Sequence, residues 1–237
     1  KIIIQNKNNK KEYKFSFIYF TDNNSIFYEY FLDQIETLNK LIQKNITKDE
    51  LENLLNTIIE IWRGITEPSK EKIIGLWGEL FTIFNSNDIE LAILSWHNKN
   101  NNKYYFYNNN EAVEIKSTTN NIRKHHFSQS QLNTKEETFI ISLLLQDDIN
   151  GYTITDLKNK ILEKINNENL ILNFKKIFYK TIGLYNGSKI EKLKFNLNYT
   201  RSNIKVFYSK NIPILENIHD HISDIEFILN LSLCTEI

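Results

Sequence analysis

The stretch NNNEAVEIKSTTNN, residues 108–121, sets a carboxylate and an ammonium one residue apart within a strand-like run. Successive side chains of a strand alternate between its faces, so Glu114 and Lys116 share one face while Val113 and Ile115 take the other. Such a pair suits metal-assisted phosphodiester hydrolysis, in which a carboxylate holds Mg²⁺ and an ammonium offsets charge on the phosphate. The competing interpretation is a weak ion pair on a half-exposed strand, because this pattern is common there.

A helix upstream of this strand carries another carboxylate. The run KEKIIGLWGELFTIF, residues 70–84, is apolar on almost every side, and Ser69 before it is a good N-cap. Gly75, Gly78 and Glu79 lie on one strip at spacings of three and four. Because two glycines cost helix stability, we expect another element to approach closely along this strip, with Glu79 facing it.

The order of apolar patterns predicts an α/β arrangement. Runs 1–5 and 13–20 predict an opening hairpin, and helical spacing follows over 49–65 and 89–96. Residues 104–107 and 111–118 predict two strands joined by a turn at Asn108 to Asn110, since Asn tolerates positive φ. The remaining predicted elements are a strand over 138–146, helices over 153–166 and near 171–183, and strands over 192–200, 203–209 and 225–233.

Charge and cysteine content restrict the partners and the cellular compartment that we expect for this protein. Lys and Arg total 29 and Asp and Glu total 29, so nucleic acid would have to be bound by local patches. Cys234 is the single cysteine, no apolar run approaches the length of a membrane span, and no leader is visible. We expect a cytoplasmic protein that does not enter a membrane.

A basic cluster, Arg123, Lys124, His125 and His126, directly follows the Glu114 strand. Beside a nuclease site these residues could bind phosphates, whose contacts dominate affinity for nucleic acid. The alternative is an ordinary solvated loop. A zinc site is not expected, because adjacent side chains of an extended segment point apart and no Cys accompanies them.

Two other patterns have ordinary explanations. His219 and His221 have the spacing of a weak metal site, but a polar turn is favoured. The aromatic run 104–107 could stack bases, although half of it must face the core. The sequence has no glycine-rich phosphate loop and no acyl-transfer motif.

The segments GLWGELFTIF (75–84), AILSWHNKNNNKYYFYNNNEAVEIKSTTN (92–120) and FSQSQL (127–132) together resemble the PD-(D/E)XK motif proteins of bacteria, a family within the restriction endonuclease-like nucleases. The resemblance spans nearly the whole chain. It implies that Glu79 is the helix glutamate near the metal, that Glu114 and Lys116 are the E-x-K pair, and that Gln131 closes the site.

One position departs from the family. Its members usually carry Asp followed by Phe on the strand before E-x-K, and the matching pair here is Tyr105 and Phe106. A phenol is a poor Mg²⁺ ligand because its pKa lies near ten, and neither Glu111 nor Asp88 is a convincing replacement. Three interpretations stay open. The chain is a nuclease that uses Glu79 and Glu114 as its two carboxylates, or a degenerate domain that binds DNA without cutting it, or the loop before the predicted strand at 111–118 is misaligned with the family motif.

The resemblance implies an α/β fold with a restriction endonuclease-like core at 70–150, a mixed β-sheet flanked by helices. An α/β N-terminal region at 1–69, with the hairpin and helices, and an α+β C-terminal part at 151–237 would complete one compact unit. The expected function is Mg²⁺-dependent cleavage of double-stranded DNA in bacterial restriction or phage defence, with Mn²⁺ as a substitute. A DNA-binding or assembly subunit that keeps the fold without catalysis is the alternative. Other defence proteins and a second copy of the chain are candidate partners.

Overall fold

The computed structural model describes residues 2–6, 9–13, 25–42, 47–63, 68–97, 106–108, 111–133, 137–182, 192–219 and 221–237. Its helices and strands follow in chain order: β1 Ile2–Asn6, β2 Asn9–Tyr13, α1 Ser25–Ile42, α2 Lys48–Arg63, α3 Lys70–Phe84, α4 Ile89–Ser95, β3 Phe106–Asn108, β4 Glu111–Thr118, β5 Lys124–Ser128, α5 Gln129–Leu132, β6 Glu137–Leu144, β7 Asp147–Tyr152, α6 Ile154–Leu162, α7 Glu168–Ile182, α8 Leu197–Ser202, β8 Ile204–Tyr208 and β9 Glu226–Asn230.

The central sheet has four strands in the order β3-β4-β6-β8. Strands β4 and β6 are parallel, with Glu114 opposite Ile140, whereas β3 and β8 run antiparallel to their neighbours. Strands β5 and β9 form a separate antiparallel pair. The protein is therefore a mixed α/β structure whose mixed sheet is flanked by helices.

Helix α3 packs against one face of this sheet. The Ser69 hydroxyl accepts a hydrogen bond from the Lys72 amide and caps the helix as predicted. Trp77 and Phe81 are fully buried and stack at 5.3 Å between ring centroids. Their cluster includes Ile115 of β4 and Leu143 of β6, whose side chains share this face.

The two glycines of α3 have different surroundings. A Cβ on Gly78 would meet Ser117 Oγ at 1.8 Å and Leu143 Cδ1 at 3.2 Å, so this is where the helix approaches β4. A Cβ on Gly75 would meet nothing within 4 Å. The predicted close approach is thus confirmed at Gly78 and wrong at Gly75.

The opposite face of the sheet packs against β5, β9 and the short helix α5. A second cluster fills this space, and its members are Phe127, Leu132, Ile140, Phe207, Ile212 and Leu231. Because side chains alternate along β4, Glu114 and Lys116 lie on this face and not on the face covered by α3.

Most predicted elements form, with some exceptions. The opening hairpin exists, but its second strand is β2, and residues 14–20 lie outside the described part of the chain. The strand predicted over 192–200 is wrong, since Asn196 accepts a hydrogen bond from the Tyr199 amide and starts helix α8. Within the described residues, no helix is long and apolar enough to cross a membrane.

Candidate functional site

Glu114 and Lys116 form a close ion pair on β4. Lys116 Nζ lies 2.8 Å from Glu114 Oε1, and the exposed fractions of the two side chains are 16% and 1%. The Lys116 ammonium also lies 4.8 Å from the centre of the Phe127 ring. A buried carboxylate distinguishes this pair from the half-exposed ion pair of the competing interpretation.

Gln131 joins the pair from α5. Its Nε2 donates a hydrogen bond of 2.7 Å to Glu114 Oε1, and its Oε1 lies 3.4 Å from Lys116 Nζ. The Ser128 amide also donates to Gln131 Oε1, at 3.1 Å. The amide of Gln131 is thereby oriented at both ends beside the E-x-K pair, and its role in closing a catalytic site stays a prediction.

Glu79 lies on α3, near enough for its charge to act on Glu114 of β4. Its side chain is buried, and its Oε2 accepts a hydrogen bond of 2.7 Å from Trp96 Nε1. His97 Nε2 lies 3.1 Å from the same oxygen. Glu79 is therefore anchored by the two residues that directly follow α4.

The two carboxylates interact electrostatically. Burial raises the pKa of the Glu114 carboxyl to about 7, Lys116 acts in the opposite direction, and the charge of Glu79 adds to the increase. Ionisation of Glu114 is therefore opposed both by its burial and by the nearby charge of Glu79.

Three side chains of this region carry oxygens that could bind a metal ion. Carboxylates of Glu79 and Glu114 and the amide oxygen of Gln131 are hard donors of the kind that Mg²⁺ prefers. In the described part of the chain, no group of three or more His, Cys, Asp or Glu side chains is arranged to hold a metal ion. Any ion bound here would have to complete its coordination with water or substrate.

The basic cluster is divided by the alternation of β5. Arg123 and His125 are buried: Arg123 donates to the Ser142 carbonyl at 2.6 Å and to the Asn203 carbonyl at 2.6 Å. His125 Nε2 lies 2.8 Å from Ser142 Oγ. These two residues join β5 to β6 and to the turn after α8, and they are not available to phosphates from solvent.

Lys124 and His126 are exposed on the other face of β5. The alternative of a solvated loop is wrong, because these residues lie in a strand paired with β9. A phosphate-binding role therefore remains a proposal for Lys124 and His126 alone.

Burial has a clear effect on His125. Burial is the largest cause, and together with the positive charges of Lys116 and Arg123 it lowers the pKa of the imidazole to about 4. The ring is therefore neutral at physiological pH and serves as a hydrogen-bonding group in the core.

Other predicted residues lie apart from this site or cannot be described. Tyr105, the position that departs from the family motif, lies outside the described residues, whereas Phe106 is buried at the start of β3. The rings of His219 and His221 meet edge to face, 4.6 Å apart between centroids, in the segment before β9. Trp77 and Trp96 are both fully buried in the core.

His97 was not identified from the sequence. The only sequence feature that could have pointed to His97 is its position directly after Trp96, at the end of α4. Its contact with Glu79, 18 positions away, requires the packing of α4 on α3.

Comparison with known families gives one match. A family model described as "Putative PD-(D/E)XK family member, (DUF4420)" matches residues 1–232. No curated protein and no solved structure matches the chain.

Proposed function

The chain belongs to the DUF4420 family of PD-(D/E)XK proteins, and from this membership we propose that it hydrolyses phosphodiester bonds of double-stranded DNA with a divalent metal ion. Mg²⁺ is the proposed ion, and Mn²⁺ is expected to replace it. The proposed setting is bacterial restriction or phage defence, which is what the resemblance to restriction endonuclease-like proteins implies.

The observation that carries this proposal is the joint geometry of Glu114, Lys116 and Gln131. Two donors, Lys116 Nζ and Gln131 Nε2, meet one oxygen of a buried carboxylate at 2.8 and 2.7 Å. A surface ion pair would not need burial or a third, oriented side chain. The arrangement instead supports a preorganised polar site.

The donor set fits a divalent ion. Glu79 and Glu114 are both buried, and the charge of Glu79 contributes to the raised pKa of Glu114. Mg²⁺ is commonly held by one or two carboxylates, with water and substrate phosphate completing the octahedron. Glu79 and Glu114 would hold the ion, which supplies Lewis-acid activation of the phosphate and lowers the pKa of a water molecule.

Side chains of the protein would carry the other roles in this reaction. The Lys116 ammonium, held against Glu114 and Phe127, would offset negative charge on the phosphate and orient the attacking water. Gln131 would keep Glu114 and Lys116 in their relative positions through its two amide ends. Lys124 and His126, exposed on β5, would contact backbone phosphates.

The test is cleavage of supercoiled plasmid DNA with Mg²⁺ or Mn²⁺, comparing the native protein with Lys116→Met. Methionine keeps an apolar stem over Phe127 while removing the ammonium, so the fold should persist. Lys205→Ala is the control, because Lys205 is a half-exposed lysine on β8 that pairs with Glu236. We expect Lys116→Met to lose about 10²-fold or more in rate and Lys205→Ala to cleave like the native protein.

Equal cleavage by the native protein and Lys116→Met would contradict the proposal. Binding of DNA without cleavage, unchanged in Lys116→Met, would favour the alternative of a DNA-binding or assembly subunit that keeps the fold.

A further inference from the structure

His97 occupies a position that none of the proposed roles uses. Its Nε2 lies 3.1 Å from Glu79 Oε2, and its side chain is 24% exposed. Its ring centroid is 5.4 Å from that of Trp96, which is fully buried and bonds to the same oxygen of Glu79. Two consecutive residues thus meet one carboxylate oxygen from the end of α4.

The backbone at His97 adopts a left-handed conformation, with φ of 50°. An L residue pays a conformational cost there, although His is among the residues that tolerate it best. The buried indole of Trp96 fixes the chain immediately before this point. The left-handed turn is the local feature that brings the imidazole back towards α3.

Within the described residues, the hydrogen bonds from Trp96 and His97 both meet Oε2 of Glu79 and not Oε1. A carboxylate held through one oxygen by two donors cannot rotate freely about its terminal bond. The other oxygen is then presented in a fixed direction. Partners of this kind orient metal ligands in many sites and change metal affinity when they are removed.

We infer that His97 is a positioning residue that, together with Trp96, orients Glu79 to bind the divalent ion. This inference rests on the proposed function, since it concerns the same metal ligand. His97 acts here as a hydrogen-bond donor to Glu79 and not as a ligand. That assignment agrees with the geometry, because His97 Nε2 is directed at Glu79 Oε2 at 3.1 Å.

The test measures Mn²⁺ binding directly, by electron paramagnetic resonance of the free ion, on the full chain without DNA. His97→Gly removes the imidazole without straining the left-handed backbone, and its thermal melting curve is measured alongside to show that the variant is folded. His97→Gln replaces the ring by an amide that can donate from a similar position. His221→Ala is the control, because His221 is an exposed histidine before β9.

We expect His97→Gly to bind Mn²⁺ about tenfold more weakly or worse, with His97→Gln and His221→Ala close to the native affinity. Unchanged affinity in His97→Gly, or equal losses in His97→Gly and His97→Gln, would overturn the inference. Electron spin-echo modulation from a histidine nitrogen, present in the native protein and lost in His97→Gly, would also overturn it by making His97 a ligand.

The same measurement separates this inference from the proposed function. Native Mn²⁺ binding that is unaffected by His97→Gly would refute the role of His97 and leave the metal site standing. A native protein that binds no Mn²⁺ would contradict the proposed metal site, and the role of His97 would fail with it.

Discussion

Gln131 Nε2 and Lys116 Nζ both bond to Oε1 of Glu114, at 2.7 and 2.8 Å. One carboxylate oxygen therefore holds together a helix residue and a strand residue 15 positions apart. The second oxygen of Glu114 is used by neither bond. This relationship makes Gln131 a direct test of how the pair is organised.

Gln131→Glu should slow DNA cleavage and lower the thermal stability of the protein. The new carboxylate keeps an acceptor for the Ser128 amide but replaces the donor to Glu114 by a like charge. We expect at least tenfold slower plasmid cleavage and a lower melting temperature at pH 8, because a second buried carboxyl beside Glu114 costs either like-charge repulsion or the protonation of one of the two groups. Gln146→Glu, at an exposed position after β6, is the matched control, and an effect of equal size there would contradict the prediction.

The glycines of α3 should respond in opposite directions to alanine. In Gly78→Ala the new Cβ would overlap Ser117 Oγ and press on Leu143, which we expect to cost about 1–3 kcal/mol before a helix-propensity gain of about 1 kcal/mol. In Gly75→Ala only the gain applies, because nothing lies within 4 Å. Urea denaturation measures both, and equal stability of the two variants would refute the close packing of α3 on β4.

Glu114→Gln should stabilise the metal-free protein at neutral and alkaline pH. The folded-state pKa of about 7 lies above the unfolded value of 4.5, so the native protein is favoured below pH 4.5 and loses stability as the pH rises through 7. The loss is on the order of 3 kcal/mol. Unfolding free energies from pH 4 to 8, with a chelator present, should be similar for the two proteins near pH 4, separate between about pH 4.5 and 7, and stay apart above pH 7; curves that are parallel from pH 4 to 8 would contradict the prediction.

Titration of His125 should change the free energy of unfolding in the opposite direction over the same pH range. Its folded-state pKa of about 4 lies below the unfolded value of 6.5, so its contribution is complete above pH 6.5 and is lost as the pH falls through 4. The loss is again on the order of 3 kcal/mol. His125→Gln can keep a bond to Ser142 without titrating.

We therefore expect His125→Gln to be less sensitive to acid than the native protein and Glu114→Gln to be more sensitive. The two native contributions partly cancel, because one declines as the pH rises and the other as it falls. The double variant should show the flattest curve of the four proteins, and an acid loss in His125→Gln equal to that of the native protein would rule out this role of the imidazole.

Lys124→Ala should weaken DNA binding without changing the site. An exposed lysine that contacts one phosphate contributes about one unit to the dependence of log affinity on log salt concentration. Fluorescence anisotropy with a DNA duplex, at several salt concentrations, should show a slope reduced by about one. Lys205→Ala should leave the slope unchanged, and a native slope in Lys124→Ala would exclude this phosphate contact.

Local pattern was sufficient for many of the elements. The apolar run of α3, the Ser69 cap and the alternation of β4 predicted a buried helix and a strand with Glu114 and Lys116 on one face. Prediction failed where local and tertiary preferences compete. Residues 192–200 alternate like a strand, but Asn196 caps a helix, and buried Arg123 and His125 resemble solvent-exposed charges until β5 pairs with β9.

The sequence by itself determined which residues share a face of β4, because alternation along a strand is fixed by backbone geometry. It also determined that Glu79 lies on a strip of α3 with Gly78. Only the tertiary structure decided that Glu114 is buried, that Gln131 bonds to it, and that His97 reaches Glu79. The two contacts join residues 18 and 17 positions apart. They depend on how helices and strands pack together, which periodicity along the chain does not encode.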